Sequence, residues 1–459
     1  MRAIPVIVLG VASSAALSAP PAYEAPALQA RANFSGAFNL PNAAFFTNST
    51  PAINDDARVA FRVAVIAGTE ADGMWFGGGG AGSIIYFSPD NEDSALSDPT
   101  LNNAGFIATE QRFTSPSGVL RIDTSDNSGS VVVTPGFPFG VTSFGSPLIN
   151  ASGQIGYRGG VTGAGQAFIS WSNGVQAIHA AEAGYNPASD VSFLFTPAFN
   201  DQRRIAGKVR LGAAGQTGET QPDQVRVYAA DGSFVVIARD VDSQPGSPYA
   251  RFDNSVALTN DGRVAFIATL AAGGRGVFLS DGTTTVQIAR EGVDGVGSIE
   301  FFSPSANDAG LVAFRAFDAG GLRAVWVGDG TGLVAVAREH DLVETDLGTG
   351  QINENTASSP GFGGAPRINA RGDVVFMAAL TPPGNDAVEW GSGCFVALAK
   401  SVGIPGDIDG DGDVDFADLN LLLSSYNQTG PNLPADLDGD GDVDFADLNI
   451  LLGNYNAGS

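Results

Sequence analysis

The 459-residue chain has one cysteine, two histidines and two lysines. With Cys394 alone, no intrachain disulfide and no thiolate metal cluster can form. Its apolar setting, GCFVALA, marks a buried small side chain, because burial in apolar surroundings raises a thiol's pKa and leaves it inert. His179 and His340 lie far apart, with no second His or Cys at ligand spacing, and are expected at turns or strand ends. Cations are also short: 23 Lys and Arg face 49 Asp and Glu, a formal charge of −26. That excludes nucleic-acid backbones and anionic membrane surfaces as partners, since both need clustered positive charge. No Gly-x-Ser-x-Gly elbow, His-Glu-x-x-His pair or phosphate loop is present, and GGGGAG at Gly77 to Gly82 lacks the following Lys-Ser/Thr.

Glycine is abundant, at 61 residues with 25 prolines, which suits many tight turns. The start, MRAIPVIVLGVASSAALSAPPAYEA, has one Arg, a short apolar run from Ile4 to Val11 and then small residues. Residues 1–25 are therefore expected to be an export signal, too short in its apolar part to anchor in a bilayer. Cleavage could fall near Ser14 to Ala16, whereas sites after Ala19 and Ala25 face a following proline. No later segment has the length and apolarity of a membrane span.

Between residues 26 and 400 one pattern recurs, apolar-Asn-x-x-Gly-x-Val-x-Phe. Its copies include INDDARVAF from Ile53, INASGQIGY from Ile149, ANDAGLVAF from Ala306 and INARGDVVF from Ile368. The second residue of each copy falls at 54, 102, 150, 200, 259, 307 and 369, a period of about 48 with two longer intervals. Asn or Asp followed by Gly supplies a tight turn, and alternation such as Val312, Phe314, Ala316 supplies a half-buried strand. Two more strands joined by Asp-Gly follow in most units, as in GVFLSDGTTTVQIARE. Four short strands per unit, seven times over, predict a seven-bladed β-propeller, whose closure removes exposed sheet edges. The seventh unit ends at GCFVALAK without its last strand, and ALQARANF from Ala27 has the form of the missing one. The N-terminal strand is thus expected to close the ring. The Arg-acid pairs Arg239-Asp240, Arg290-Glu291 and Arg338-Glu339 are expected to cap strand ends or bridge blades.

Residues 401–459 hold twelve Asp and no Glu, Lys or Arg. Two loops place Asp at positions 1, 3, 5, 7, 9 and 12: Asp407, Asp409, Asp411, Asp413, Asp415 and Asp418, then Asp436, Asp438, Asp440, Asp442, Asp444 and Asp447. Gly412 and Gly441 stand at position 6. Oxygens so spaced surround a hard cation, which predicts two Ca²⁺ ions, with Asp413 and Asp442 contributing backbone carbonyls. Each loop enters an amphipathic segment, Leu419, Leu422, Leu423 and Tyr426 in one and Leu448, Leu451, Leu452 and Tyr455 in the other. Val414 and Val443 are expected to pack the two loops together. Without cations the crowded carboxylates should leave this tail loosely folded.

This duplicated loop and helix, with Asp at position 12, resembles a type I dockerin, a calcium-dependent module that docks onto cohesin domains. The resemblance implies that Phe416, Ala417, Phe445 and Ala446, at positions 10 and 11, contact a cohesin-like protein or another cell-surface component. The body resembles secreted repeat proteins of planctomycete-type bacteria, which implies export without an assigned activity. Since no motif singles out a catalytic pair, the expectation is a secreted, non-catalytic binding or scaffold protein, with a polysaccharide or peptide as ligand. The alternative is a secreted carbohydrate-active enzyme, a glycoside hydrolase or lyase, targeted by its tail.

Overall fold

The computed structural model describes all residues except 1–18, 34–35, 43, 47–48, 66–70, 90–94, 114, 137, 354–361, 401–404, 410–412, 431–432, 439 and 458–459. Most of the expected signal, including its apolar run, therefore lies outside the described residues. So do Asp411 and Gly412 of the first acidic loop.

Seven antiparallel sheets, each built on a four-strand blade, form a seven-bladed β-propeller. Blades are numbered here by their inner strands. Blade three is the plainest, running Ser143–Ile149, Ile155–Val161, Gly165–Ser172 and Val175–Ala181 from the axis outward. The second strand of each blade carries the alternating apolar residues and is buried on both faces. Val312, Phe314 and Ala316 are fully buried, and they pack against blade five through Ala265, Ile267 and Val277. In blade seven the outer strand is Ala27–Ala32, paired antiparallel with Gly391–Ala397, so the two ends of the body meet in one sheet. Pairing extends upstream, through a bridge between Tyr23 and Ala399 and a hydrogen bond from Lys400 N to Ala22 O of 2.8 Å. Arg31, 1% exposed, fastens this strand with a two-pronged ion pair to Asp346 (2.8 and 2.7 Å) and a bond to Trp390 O (2.7 Å).

The repeated Asn explains the closure of the ring. Each one ends an inner strand, and its Oδ1 accepts the N–H four residues on, as in Gln154 N to Asn150 (2.9 Å) and Asp373 N to Asn369 (2.8 Å). Its Nδ2 then reaches around the axis to the same carbonyl of the next blade: Asn102 to Asn150 O, Asn150 to Asn200 O, Asn200 to Thr259 O, Asn307 to Asn369 O, and Asn369 back to Asn54 O, at 2.9–3.3 Å. A second ring lies one residue on. The N–H of Asp55, Ala151, Asp201, Asn260 and Ala370 donates to the side chain of Asn103, Asp201, Asn260, Asp308 and Asp55. It is interrupted where the accepting position is alanine, Ala151 or Ala370. At the closing junction Gly364 (φ +59°) leaves no room for a side chain, since a Cβ there would stand 2.3 Å from Ser49 O.

The two long intervals are accounted for by the 212–222 connection of blade four and by an added hairpin in blade seven, Leu342–Thr345 with Gly348–Ile352. The acids of the Arg-acid pairs cap strands. Glu291 accepts from Arg275 N and from Ile299 N of the next blade, both at 2.9 Å, while Glu339 accepts from Arg323 N at 2.9 Å.

The tail forms two short helices, α1 (Phe416–Ser425) and α2 (Phe445–Gly453), each opened by a capping box, Asp415 with Asp418 and Asp444 with Asp447. Its core is small: Val414, Leu422, Ala435, Val443 and Leu451. Val414 exchanges backbone bonds with residues 456–457 after α2, and Val443 with residues 427–428 after α1, so each loop is held by the other copy's helix end. The expected apolar stripes are narrower than the sequence spacing predicts. Leu423 and Leu452 are 52% and 50% exposed, because a two-helix module buries only one residue line per helix.

Candidate functional site

The propeller axis opens into a cavity of about 740 Å³. Its wall is made where the inner strands leave their ladders. Three residues before the ring Asn stands a proline in six blades, Pro51, Pro99, Pro147, Pro197, Pro304 and Pro366. Proline has no N–H to give a ladder, and the inner strands are split or bulged here, as between Gly145 and Leu148 or Gly363 and Arg367. The residue before it faces the cavity as Thr50, Asp98, Ser146, Thr196, Ser303 or Ala365, with Ser255 at that place in blade five. The result is a collar of hydroxyls carrying one carboxylate.

Three guanidinium groups share this cavity, Arg62, Arg112 and Arg367, and Asp98 is the one acid among its described lining residues. Arg62 is steadied by Asp72 (3.3 Å) and Leu96 O (3.1 Å), Arg112 by Glu110 (2.6 Å). Burial pushes the Glu110 carboxyl up, Arg112 only partly opposing it. Burial pushes the Arg367 guanidinium down, with Asp98 acting the other way. Ser49 donates to Asp98 at 3.2 Å. With Asp72 and Glu110 behind the wall balancing two of the three guanidinium groups, the cavity offers an anion directed donors in a polar wall rather than a net positive charge.

The cavity continues into a second space of about 310 Å³ between blades four, five and six, sharing Ser255, Phe301, Phe302 and Ser303. Here charges are buried and paired. Lys208 lies 3.1 Å from Asp223 and 4.1 Å from the Phe195 ring, and Arg210 pairs with Asp223 at 2.8 and 3.0 Å. Arg275 pairs with Asp253 at 2.5 Å and lies 3.6 Å from the centre of the Phe301 ring. Burial pushes the Lys208 ammonium down and the Asp253 carboxyl up.

None of these residues was singled out by the repeat motif. A signal existed: eight residues after the ring Asn the second strand carries Arg62, Arg158, Lys208 and Arg315 in four blades, and Glu110 in a fifth. The two histidines sit as single residues. His340 is an exposed turn residue with φ 72°. His179 lies inside a strand rather than at its end, 2% exposed and 2.8 Å from Ser170 Oγ, and burial pushes its pKa down to about 4. Cys394 is fully buried, its thiol pushed up by burial.

In the tail, carboxylate oxygens of Asp407, Asp409 and Asp418 converge within 4.8 Å, as do those of Asp413, Asp415 and Asp418, and those of Asp436, Asp438 and Asp440. Such clusters can chelate a divalent ion. Asp418 and Asp447 are fully buried and also accept backbone N–H bonds, Asp418 from Ile408 and Asp415 at 2.6 and 2.9 Å, Asp447 from Leu437 and Asp444 at 2.6 and 2.8 Å. In both, these bonds outweigh burial and hold the carboxyl below its usual range. Asp442 is pushed up, first by the charge of Asp440. Asp444 serves as the cap of α2. Phe416 and Phe445 stand 64% and 62% exposed at matching helix starts, with Ala417 and Ala446 exposed beside them.

Residues 200–430, half of the chain, match the model of a family of unknown function (DUF7453). No curated protein matches. Among solved structures the chain is similar to an oligogalacturonate lyase in complex with manganese, at 10% identity and TM-score 0.51, covering 83% of this chain and 98% of that one. It is also similar to the β-propeller domain of the trilobed protease from Pyrococcus furiosus, at 13% identity and TM-score 0.48, over 74% and 92% of the two chains. TolB from Acinetobacter baumannii follows at 14% identity and TM-score 0.39, over 60% of this chain, which spans 62% of TolB's length. The first of these likenesses shows the fold. It also corrects the expectation that the protein is more readily not an enzyme: a lyase is built on this propeller over nearly its whole length. Propeller sites are assembled from separate blades, so a missing local motif does not count against catalysis. No described helix is long and apolar enough to cross a membrane.

Proposed function

The chain belongs to the DUF7453 family of unknown function, and from that premise we propose that it is an exported carbohydrate-active β-propeller that takes an acidic oligosaccharide into its axial cavity and cleaves it by elimination. The observation that carries this reading is the donor set of the cavity, three arginines and a collar of hydroxyls around a single carboxylate. Arginine matches carboxylate geometry, and hydroxyls match the sugar's own. Hydrolysis of a glycoside by the usual route needs two carboxylates flanking the bond, and this cavity offers Asp98 alone among its described residues. Elimination needs one base. Asp98 removes the proton beside the sugar's carboxylate, the C–H electron pair becomes the new double bond as the bond to the glycosidic oxygen breaks, and that oxygen leaves with the proton handed back by Asp98. Arg62, Arg112 and Arg367 neutralise the charge that develops on the carboxylate. The lyase structure of similar fold is named for an acidic sugar chain, which agrees with this chemistry.

The tail, on this reading, binds two calcium ions through its Asp clusters and docks the protein, by the Phe416 and Phe445 face, onto a cohesin-like partner or cell-surface component. Oxygen-only ligands suit a hard cation. Incubation of the full chain with a panel of acidic and neutral polysaccharides tests the whole. The expected result is unsaturated product, seen by ultraviolet absorbance, from acidic substrates only, and its loss in Asp98→Asn. Absence of both retention and product on every acidic glycan ends the proposal.

A further inference from the structure

We propose that Arg275 is a carboxylate-binding subsite at the mouth of the axial cavity, closed in the free protein by the ring of Phe301. Two observations that do not fit a purely structural role meet here. Arg275 is 8% exposed, yet its Nε and Nη1 have no hydrogen-bond acceptor in the protein among the described residues, its one acid being Asp253 on Nη2. Phe301, whose ring covers this guanidinium at 3.6 Å, is 81% exposed, the most exposed of the protein's large apolar side chains among the described residues. A buried donor without an acceptor is destabilising, and a phenylalanine standing in water forgoes most of what its burial would return. One event relieves the first cost, and the exposed ring offers it little resistance. If the weakly held ring swings aside, an incoming carboxylate meets the two open donors.

The neighbouring pairs differ. Arg315 also lies under an aromatic ring, that of Phe302 at 3.8 Å, but its donors are taken by Glu300 (2.8 and 2.9 Å) and Gly364 O (2.8 Å). Arg210 is likewise occupied by Asp223 and Thr217 O. Of these three, Arg275 alone is left with unused hydrogen-bonding capacity, and the Phe301 that hides it lines both cavities. A ligand held there extends past Phe302 and Ser303 into the axial site. The occupant is therefore one acidic sugar unit of a chain whose next units lie in the axial cavity. The identity of that ligand as a glycan rests on the functional reading above.

Calorimetric titration of the full chain with trigalacturonate, and with its methyl ester as the uncharged control, tests the gate. Phe301→Ala removes the competitor for Arg275 and is expected to bind trigalacturonate severalfold more tightly than wild type. Phe301→Trp, a better partner for a cation, is expected to bind more weakly. Arg275→Gln should lose about tenfold, and the ester should bind weakly to all of them. Since Phe301 is exposed, the Ala variant keeps the fold. Equal or weaker binding by Phe301→Ala, or failure of both it and wild type to bind trigalacturonate, would overturn the subsite. Binding with this dependence on Phe301 but without cleavage would reject elimination at Asp98 and leave the subsite standing.

Discussion

The inner end of the propeller and the tail are both built on repeated Asx residues, with opposite consequences. In the body the repeated residue is Asn in six of seven blades, which carries a donor and an acceptor, so neighbouring copies can satisfy one another around the axis with no net charge. In the tail the repeated residue is Asp, which when ionised only accepts, and the crowded carboxylates raise one another, as Asp440 does Asp442. Backbone N–H groups and helix starts quiet Asp415, Asp418, Asp444 and Asp447. Asp436, Asp438 and Asp440 take backbone N–H bonds as well, but their carboxylates still converge into a cluster that can chelate a divalent ion. One repeat closes a structure on itself, and the other gathers like charges that a divalent ion can bridge.

The largest break between the two should come from chelation. Removing divalent ions is expected to unfold α1 and α2 and open the region beyond residue 401 to protease, leaving the propeller's melting temperature unchanged. For a site filled at a thousand times its dissociation constant the lost stabilisation is about 4 kcal/mol, more than a five-residue core can replace. Circular dichroism and limited proteolysis of the full chain measure it, and a tail indifferent to chelator would remove the contrast. Next in size is Asn150→Ala. It takes one of two donors from the buried Asn200 carbonyl, which keeps the Arg203 N–H, and orphans the half-buried Gln154 N–H, so it should cost about 1–3 kcal/mol by denaturant unfolding, the range for one orphaned group.

Acid probes the body's neutral design elsewhere. His179 is buried uncharged, with a pKa pushed down to about 4. The unfolded chain, in which a histidine titrates near 6.5, binds the proton first. The contribution is therefore whole above pH 6.5, declines as pH falls towards 4, and amounts to up to about 3 kcal/mol. His179→Gln should flatten that part of the stability curve. A wild-type slope that persists in the variant would assign the acid sensitivity to other groups.

Much of the architecture was legible in the chain. The Asn spacing located the blades, and the missing last strand of the seventh unit pointed to Ala27–Ala32, because both features are local to a few residues. The axial site was not legible. Its prolines and Arg62, at the eighth position, lie just outside the motif, Arg112 and Arg367 fall elsewhere, and Lys208, Asp253, Arg275 and Phe301 come together only once three blades are side by side. The helical stripe was overread for a related reason. Periodicity shows which residues could share a face, but the size of the partner decides how many are covered, and α1 and α2 cover Leu422 and Leu451 while leaving Leu423 and Leu452 in water.

The smallest effect is the most discriminating, because it adds to the ring rather than removing from it. Thr259 takes the ring position in blade five, 2% exposed, and has no amide to send to Asn307 O. Its hydroxyl turns back instead to Asp261 and to Arg263 O at 3.1 Å. Thr259→Asn should restore the junction. Oδ1 would take the Arg263 N–H, as its counterparts do four residues on, and Nδ2 would reach the next blade. A net hydrogen bond contributes about 1 kcal/mol, offset in part by the lost hydroxyl contacts, so the expected gain is between a few tenths and about 1 kcal/mol at the denaturation midpoint. Should the variant lose stability on the scale of Asn150→Ala, the amide bonds would follow from blade packing rather than help to set it, and closure would rest on the Arg31 clasp and the apolar contacts between blades.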